Sequence, residues 1–330
     1  MPVTSVDVDP DAATLTVRAE YAVPLERLWD GYVDPRLIER FWGPPTYPAV
    51  FTRHDLFVGG RSDYAMTGPE GDVSRGYWHF EEVVPQEQIT VVDGFADEDG
   101  NPKEGMPSMV MAIEFGATDG GSALTITTDF GSAAVLEELL GMGMEEGMLA
   151  AMGQIDEVLA DESLFAAETP VAAQLLSDTQ VRVSRIVRGG VAPVWRAHHD
   201  PDLLPRWLLG PDGWEMSVCQ VGESVGDSYR YEWQRIGGPE NFGFTGEVLE
   251  LAPDRRAVTT EQMIGMAGPA TTNELTLTPV SGGTLVSTVI TYPSRELRDM
   301  ILGTGMTDGM EASYARLERD VLASGGAADA

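Results

Sequence analysis

Polar and apolar residues alternate in several short stretches of the chain. The alternation is clear in TLTVRAEYAV at 14–23 and in VRVSRIVRG at 181–189. A period of two is typical of a strand with one buried face. Further short alternating stretches follow each of these, separated by the turn sequences GPEGD, PQEQ, TDGG and VSGG. The pattern therefore predicts two sets of antiparallel strands.

A helical spacing of apolar residues closes each set. Residues 132–160 and 294–322 are each predicted to form one long helix, because apolar positions recur three and four residues apart. Each copy is also predicted to have two short helices. The first starts at Pro24 or Pro193, since proline at a first helical position costs no hydrogen bond. In the first copy it runs to Asp34-Pro35, where the residue before proline ends it and the second helix starts. The result is an α+β fold, with the long helix against one face of a curved antiparallel sheet of about six to seven strands.

The two sets also have similar sequences. LWDGYVDPRLIERFWGPP at 28–45 aligns with VWRAHHDPDLLPRWLLGPD at 194–212. Much later, GMGMEEGM at 141–148 aligns with GTGMTDGM at 303–310. The constant order and the nearly constant offset indicate a tandem duplication of one domain.

The duplication predicts the domain limits. One domain is expected over residues 1–160 and a second over 180–323. The segment 161–179 lacks strong strand patterning and carries Pro170, so it is interpreted as a linker. The glycine- and alanine-rich end, 324–330, is predicted to be a flexible tail.

Three motifs in the first copy resemble a known family. They are LWDGYVDPRLIERFWGPP, DLFVGGR at 55–61 and EEVVPQEQI at 81–89. The set is similar to the START-like (SRPBCC, Bet v 1-like helix-grip) superfamily, and within it to the homologues of the heat-shock-protein-90 ATPase activator. The second copy keeps the first motif, but VGESVGDS at 221–228 lacks the second glycine and the arginine of DLFVGGR.

The resemblance implies two tandem helix-grip domains, each with a ligand cavity between the sheet and the C-terminal helix. Members of the superfamily bind lipids, sterols, polyketides and hormones, and some are cyclases or hydratases. The resemblance is therefore more specific for fold than for function.

The repeated octapeptide has two interpretations. Met144 and Met148 lie four residues apart and share a helix face, as do Met306 and Met310. Glycine in a helix interior costs about 1 kcal/mol relative to alanine, so a compensating role is expected. The glycines either let the helix pack closely on the sheet while methionines fill gaps, or leave a methionine-lined volume for an apolar ligand.

Aromatic and methionine side chains near this volume complete the predicted site. The candidate ligand-binding residues are Trp42, Tyr64, Met66, Trp78, Phe80, Met111, Met144, Met148, Trp207, Tyr231, Trp233, Phe244, Met306 and Met310. Trp42 is placed where the resembled fold has its cavity mouth. Ordinary core packing is the alternative for the strand residues, and it is the more frequent role of an aromatic residue in a strand.

Charge and composition limit the classes of partner. The chain has 53 acidic and 21 basic residues and a formal net charge of −32. Such a surface repels phosphate backbones, so no nucleic-acid partner is expected. No apolar run approaches the ~20 residues of a membrane helix, and the N-terminus lacks the pattern of a signal peptide. We therefore expect a cytoplasmic protein without membrane insertion.

No residue pattern indicates catalysis or metal binding. The four histidines, His54, His79, His198 and His199, do not recur at aligned positions. Neighbours in a helix point roughly 100° apart, so His198 and His199 are poorly placed to share a metal. They are interpreted as surface or half-buried residues. Cys219 is the only cysteine. The sequence predicts no catalytic residue, no metal and no cofactor.

Three functions remain open. The favoured one is non-enzymatic binding of a small hydrophobic or amphipathic molecule, as a carrier or sensor. The alternative is a cyclase, aromatase or hydratase acting on a polyketide-like or aromatic substrate, which requires a polar pair involving His79 or Tyr64. The third, implied only by the family name, is a chaperone-linked protein-binding module. The two copies are expected to pack as an intramolecular pseudo-dimer and to offer non-equivalent sites.

Overall fold

The chain forms two compact units, Met1–Phe165 and Ala166–Ala330. The structure is a computed structural model that describes residues 2–166, 169–210 and 212–323. The domain limits at 160 and 180 and the intervening linker stay predictions. The tail predicted at 324–330 lies outside the described residues.

The first unit has one antiparallel sheet covered by helices. Its strands are β1 (Val3–Asp9), β2 (Thr14–Tyr21), β3 (Ala49–His54), β4 (Arg61–Thr67), β5 (Val73–Val84), β6 (Gln88–Phe95), β7 (Ser108–Thr118) and β8 (Gly121–Asp129). Its helices are α1 (Leu25–Val33), α2 (Pro35–Ile38), α3 (Ala133–Gly141), α4 (Met144–Met152) and α5 (Ile155–Ala160), followed by a 3₁₀ turn at Glu162–Phe165. The strand order is β1-β2-β8-β7-β6-β5-β4-β3.

Alternation decides which face of this sheet is covered. In β2, Leu15, Val17 and Ala19 are buried, and Thr14, Thr16 and Arg18 between them retain exposure. The buried face receives α1, whose Trp29 meets Phe115 of β7 edge-to-face at 5.2 Å between ring centroids. Burial of each such large apolar side chain contributes about 1.5–3 kcal/mol, which holds the helices on the sheet.

The second unit repeats the arrangement. Its strands are β9 (Ala172–Leu175), β10 (Gln180–Val187), β11 (Trp214–Gln220), β12 (Ser228–Arg235), β13 (Asn241–Ala252), β14 (Arg256–Met263), β15 (Thr271–Val280) and β16 (Gly283–Thr291). Its helices are α6 (Val191–His199), α7 (Leu204–Trp207), α8 (Arg295–Leu302) and α9 (Met306–Arg316), with a π-helical end at Leu317–Leu322. The strand order is β11-β12-β13-β14-β15-β16-β10-β9.

These elements confirm the α+β helix-grip fold in two copies. Among the described residues each sheet has eight strands, where six to seven were predicted. The additional strands are β1 and β9, and both lie at a sheet edge. Their side chains are half-buried or exposed, so they lack the burial alternation of a central strand. β9 lies inside the segment predicted as a linker and pairs with β10.

The octapeptides divide the segments predicted as single long helices. Gly143 has φ +87° and is the N-cap of α4, and Gly305 has φ +80° and is the N-cap of α9. Glycine adopts this left-handed conformation without steric cost, so the chain turns here and a new helix begins. Gly147 and Gly309 remain inside their helices. The resulting helices are short, and none in the described part of the chain could cross a membrane.

Candidate ligand cavities

The first unit encloses a cavity of about 280 Å³ between α4 and the covered face of its sheet. Methionine is the most frequent residue in its wall, at Met66, Met109, Met111, Met142, Met144, Met148 and Met152. Six residues of the predicted set lie in this wall: Trp42, Tyr64, Met66, Met111, Met144 and Met148. Flexible thioether side chains suit a cavity that accepts apolar molecules of more than one shape.

The missing side chain of Gly147 keeps the cavity open. Gly147 lies in the wall. Apart from its two chain neighbours and the backbone of its own helix, no heavy atom lies within 4 Å of the position that a Cβ atom on Gly147 would take. Close packing of α4 on the sheet would place atoms there. At this position the open-volume interpretation of the octapeptide therefore describes the geometry better than the packing interpretation.

Two residues of the predicted set lie behind the wall. Trp78 is fully buried and Phe80 is 2% exposed, and neither borders the cavity. Trp42 meets Trp78 edge-to-face at 4.5 Å between ring centroids. Trp42 thus forms the wall, and Trp78 supports it from the sheet.

One end of the cavity is polar. The Tyr64 hydroxyl donates to Asp93 Oδ1 at 3.2 Å, and both side chains are buried. Burial raises the pKa of Asp93 to about 6, although contacts with Tyr64, the Trp78 indole and the Gly94 backbone work in the opposite direction. Burial, with the Asp93 charge, holds the pKa of Tyr64 well above its usual range. Trp78 Nε1 approaches the carboxyl but makes no well-formed hydrogen bond with the described residues.

The second unit has a smaller cavity, of about 180 Å³. Its wall comes from α6, α7 and strands β12 to β15, and it includes Trp207 and Tyr231 of the predicted set. The other four predicted residues of this unit, Trp233, Phe244, Met306 and Met310, do not border it.

These four side chains are used in packing. Trp233 stacks on Phe242 at 5.1 Å and donates from Nε1 to the Leu208 carbonyl at 2.7 Å. Phe244 meets Trp233 edge-to-face at 6.0 Å between ring centroids. The Met306 sulfur accepts from the Tyr292 hydroxyl at 3.9 Å. Met306 and Met310 pack against buried residues of β10 and β16, so α9 fills the space that α4 leaves open in the first unit.

The two cavities differ in polarity at matching sheet positions. The fourth residue of β6 is Val91, which pairs with Met111, whereas the fourth residue of β14 is Thr259, which pairs with Asn273. Met111, Thr259 and Asn273 border the cavities and Val91 does not, so at this position the sheet adds an apolar side chain to the first wall and two hydrogen-bonding side chains to the second.

The sequence interpretation missed the polar residues Asp93, Glu261 and His198. The sequence did contain a signal for Asp93. In QITVVDGF at 88–95, Asp93 follows Ile89 and Val91 at every second position, so it lies on the same buried face of the strand. This signal was hidden because carboxylates are abundant along the chain. His79, a candidate for the polar pair, is exposed on the outer face of the sheet and lies outside the cavity. Within residues 2–166, 169–210 and 212–323, no group of three His, Cys, Asp or Glu residues could hold a metal ion.

A family profile described as "Activator of Hsp90 ATPase homolog 1-like protein" matches residues 22–160 and 191–321. The protein Ms6760 from Mycobacterium smegmatis is 44% identical over 48% of this chain and 98% of that chain, with a TM-score of 0.46. A protein from Arthrobacter aurescens is 39% identical over 48% and 92% of the two chains, with a TM-score of 0.47. DynU16, of the dynemicin biosynthetic locus, is 14% identical over 93% and 98%, with a TM-score of 0.33. No curated protein matches the chain.

Proposed function

The chain belongs to the family of activator of Hsp90 ATPase homolog 1-like proteins, and from this membership and the first cavity we propose that unit 1 binds a small hydrophobic or amphipathic molecule. The protein acts as a carrier or sensor and does not transform its ligand. The observation that supports this proposal is the methionine-lined volume that Gly147 leaves open beside α4.

The composition of the wall favours one kind of ligand. Its methionines contact an apolar body, and the buried Tyr64–Asp93 pair meets one polar group at the end of the cavity. A ligand hydroxyl can donate to Asp93 there. A ligand carboxylate is disfavoured beside Asp93, because it would face a second carboxyl in a low-dielectric site.

Mass spectrometry of the purified protein tests the proposal. Native spectra are expected to show a small-molecule mass that is absent from denaturing spectra. An environment-sensitive apolar dye gives a second readout if the protein purifies empty. Absence of both the added mass and dye binding would contradict the proposal.

A matched pair of variants assigns the signal to this cavity. Gly147→Leu places a side chain in the open volume of unit 1 and is expected to abolish binding. Gly309→Leu makes the same change in α9, where Gly309 is exposed to solvent and does not border the second cavity, and should leave binding intact. Equal losses in both variants would show that the ligand does not occupy the first cavity.

An enzymatic function is a second candidate, because the Tyr64–Asp93 pair lies in the wall. A carboxyl with a pKa of about 6 can exchange a proton near neutral pH, as a general acid or base requires. A cyclase or hydratase acting on a polyketide-like or aromatic substrate would use this pair in place of His79. Product formed by the wild type and lost in both Asp93→Asn and Tyr64→Phe would favour this candidate over the carrier.

Three further expectations stay predictions: the cytoplasmic location, the packing of the two units as a pseudo-dimer, and the chaperone-linked role. The chaperone-linked role requires a complex with Hsp90. Co-purification of the two proteins tests it.

A further inference from the structure

The cavity of unit 2 is bordered by aromatic rings. Trp207, Tyr229 and Tyr231 all lie in its wall. The two tyrosine rings are 5.0 Å apart between centroids, and Trp207 stacks on Tyr314 at 5.7 Å. Aromatic faces attract cations through their quadrupole, and most strongly where water is excluded.

His198 contributes a hydrogen-bond acceptor, Nε2, to which no described residue donates. Its Nδ1 lies 2.7 Å from the Val194 carbonyl oxygen, which can only accept, so Nδ1 carries the proton. Burial lowers the pKa of His198 to about 4, so the ring is neutral at pH 7 and Nε2 holds a lone pair. Nε2 is shielded from solvent and has no hydrogen-bond partner among the described residues.

His199 repeats the same arrangement beside it. Its Nδ1 lies 3.0 Å from the Trp195 carbonyl oxygen, and its ring stacks on the Trp195 ring at 3.9 Å. Burial lowers the pKa of His199 as well. Both imidazoles are therefore fixed in the tautomer whose Nε2 accepts, and both lie in the cavity wall.

Glu261 adds a carboxyl without a cationic partner. Burial raises its pKa, against hydrogen bonds from the Asn273 side chain and from the Tyr229 hydroxyl, which is 3.4 Å from Oε2. The side chain keeps some accessible surface because it borders the cavity. No Lys, Arg or His among the described residues forms an ion pair with it.

We propose that this second cavity binds a small protonated primary amine with a short apolar body. The ammonium N–H groups donate to Glu261 and to His198 Nε2, while the cation lies against the rings of Trp207 and Tyr231. A volume of about 180 Å³ is below the roughly 300–1,000 Å³ of sites for drug-sized ligands, so the molecule is small. The net charge of −32 raises the local concentration of any cation.

The first cavity offers only part of this chemistry, because the described residues of its wall include the Asp93 carboxyl and the rings of Trp42 and Tyr64 but no imidazole acceptor. Tyr32 aligns with His198, and the Val91–Met111 pair stands where unit 2 has Thr259 and Asn273. Amine binding is therefore expected in one unit only, and it is independent of the ligand proposed for unit 1.

Isothermal titration calorimetry of the full chain with n-butylammonium tests the proposal, and Gly147→Leu is introduced to fill the first cavity so that binding in unit 1 does not contribute. n-Butanol, which has the same apolar body without the charge, and n-butyltrimethylammonium, which has the charge without an N–H donor, are the matched probes. Both are expected to bind at least about tenfold more weakly. Butanol can make only neutral-donor hydrogen bonds, which are weaker than those of an ammonium group, and the quaternary ammonium cannot donate to Glu261 or His198 at all. Equal affinity for butylammonium and butanol would overturn the proposal.

Two variants assign the site. Glu261→Gln and His198→Phe keep the side-chain volume approximately and should each weaken butylammonium binding about tenfold or more. Asp93→Asn, the corresponding change in unit 1, should not alter it. Circular dichroism checks that each variant folds. If Glu261→Gln does not fold, the binding measurement on His198→Phe tests the site. Unchanged affinity in the folded variants, or loss in Asp93→Asn, would overturn the assignment.

Discussion

Asp93 and Glu261 occupy the same position in the two sheets: each is the sixth residue of an eight-residue strand, faces the helices and has a pKa raised by burial. Their surroundings differ. Asp93 lies beside Met109 across β6 and β7, and Glu261 lies beside Thr271 across β14 and β15. One buried carboxyl thus marks the polar end of a methionine-lined cavity, and the other belongs to a wall that also carries His198, Thr259 and Asn273.

Asp93 is expected to reduce the stability of unit 1 at neutral pH. Because its folded pKa of about 6 exceeds the ordinary 3.8, the folded state binds the proton more tightly. Its contribution to stability is therefore full below pH 3.8 and is lost as the pH rises through 6. Asp93→Asn cannot ionise and should raise the free energy of unfolding at pH 7 by at most about 3 kcal/mol. Urea unfolding at pH 4 and pH 7 measures this.

The exposed residue Asp119 provides the control for that experiment. Asp119→Asn should change the unfolding free energy little at either pH. A lower stability of Asp93→Asn at pH 7 would mean that the carboxylate stabilises the fold, contrary to the expectation.

His198 is expected to make the stability of unit 2 depend on pH in the opposite direction. Its folded pKa of about 4 is below the ordinary 6.5, so the unfolded state binds more protons between these values. Stability is therefore expected to fall as the pH is lowered from 6.5 to 4, by at most about 3 kcal/mol from this residue. In His198→Phe this part of the pH dependence should disappear. The substitution also removes the hydrogen bond to Val194, so the quantity to compare is the slope of the unfolding free energy with pH rather than its absolute value. An unchanged slope would show that His198 does not cause this pH dependence.

Alanine substitutions at the glycines of the octapeptides are expected to change the free energy of unfolding in opposite directions. Gly143→Ala and Gly305→Ala place a Cβ in a left-handed conformation and should each cost about 1–2 kcal/mol. Gly147→Ala lies inside α4 with open space around it and should stabilise by up to about 1 kcal/mol. Denaturant unfolding of the three variants measures the differences. Destabilisation by Gly147→Ala would show that the space is needed for packing.

Gly76 is expected to be required for the polar end of the first cavity. A Cβ on Gly76 would lie 2.3 Å from Tyr64 Cζ, so Gly76→Ala must displace the ring and break its bond to Asp93. Overpacking of this kind costs about 1–3 kcal/mol. The pKa of Asp93 should rise further, because the carboxylate loses a donor. A pH titration of Asp93 by carbon-detected NMR measures it.

Gly116 of β7 is the matched control for Gly76. A Cβ there meets no atom within 4 Å, so Gly116→Ala should leave both the stability and the titration of Asp93 nearly unchanged. The same shift in both variants would rule out displacement of Tyr64 as its cause.

The sequence predicted the fold because its signals are local or repeated. Alternation predicted β2 and β10, the duplication predicted two copies, and the family motifs predicted the helix-grip arrangement. The division of each C-terminal helix was not predicted, since Gly143 is compatible with a helix interior until its φ is known. The sequence showed that glycine in a helix interior is unfavourable. It did not show that the chain adopts a left-handed conformation at Gly143, which ends the helix and avoids that cost.

The candidate sites were predicted unevenly for a similar reason. Met144 and Met148 share a face by helical geometry alone, so their place in one wall followed from spacing. Met306 and Met310 have the same spacing but pack into the core of unit 2, because that outcome depends on where α9 meets the sheet. The role of His198 depends on a carbonyl in its own helix and on a cavity formed by distant strands.

The paired left-handed glycines also give an order of evolutionary events. Gly143 and Gly305 have φ values of +87° and +80° at aligned positions, so the simplest history places this break in the single-domain ancestor, before the gene doubled. The replacement of Val91 and Met111 by Thr259 and Asn273, or the reverse change, then followed in one descendant copy. Fusion in one chain kept both copies together while one ancestral pocket became two chemically distinct ones.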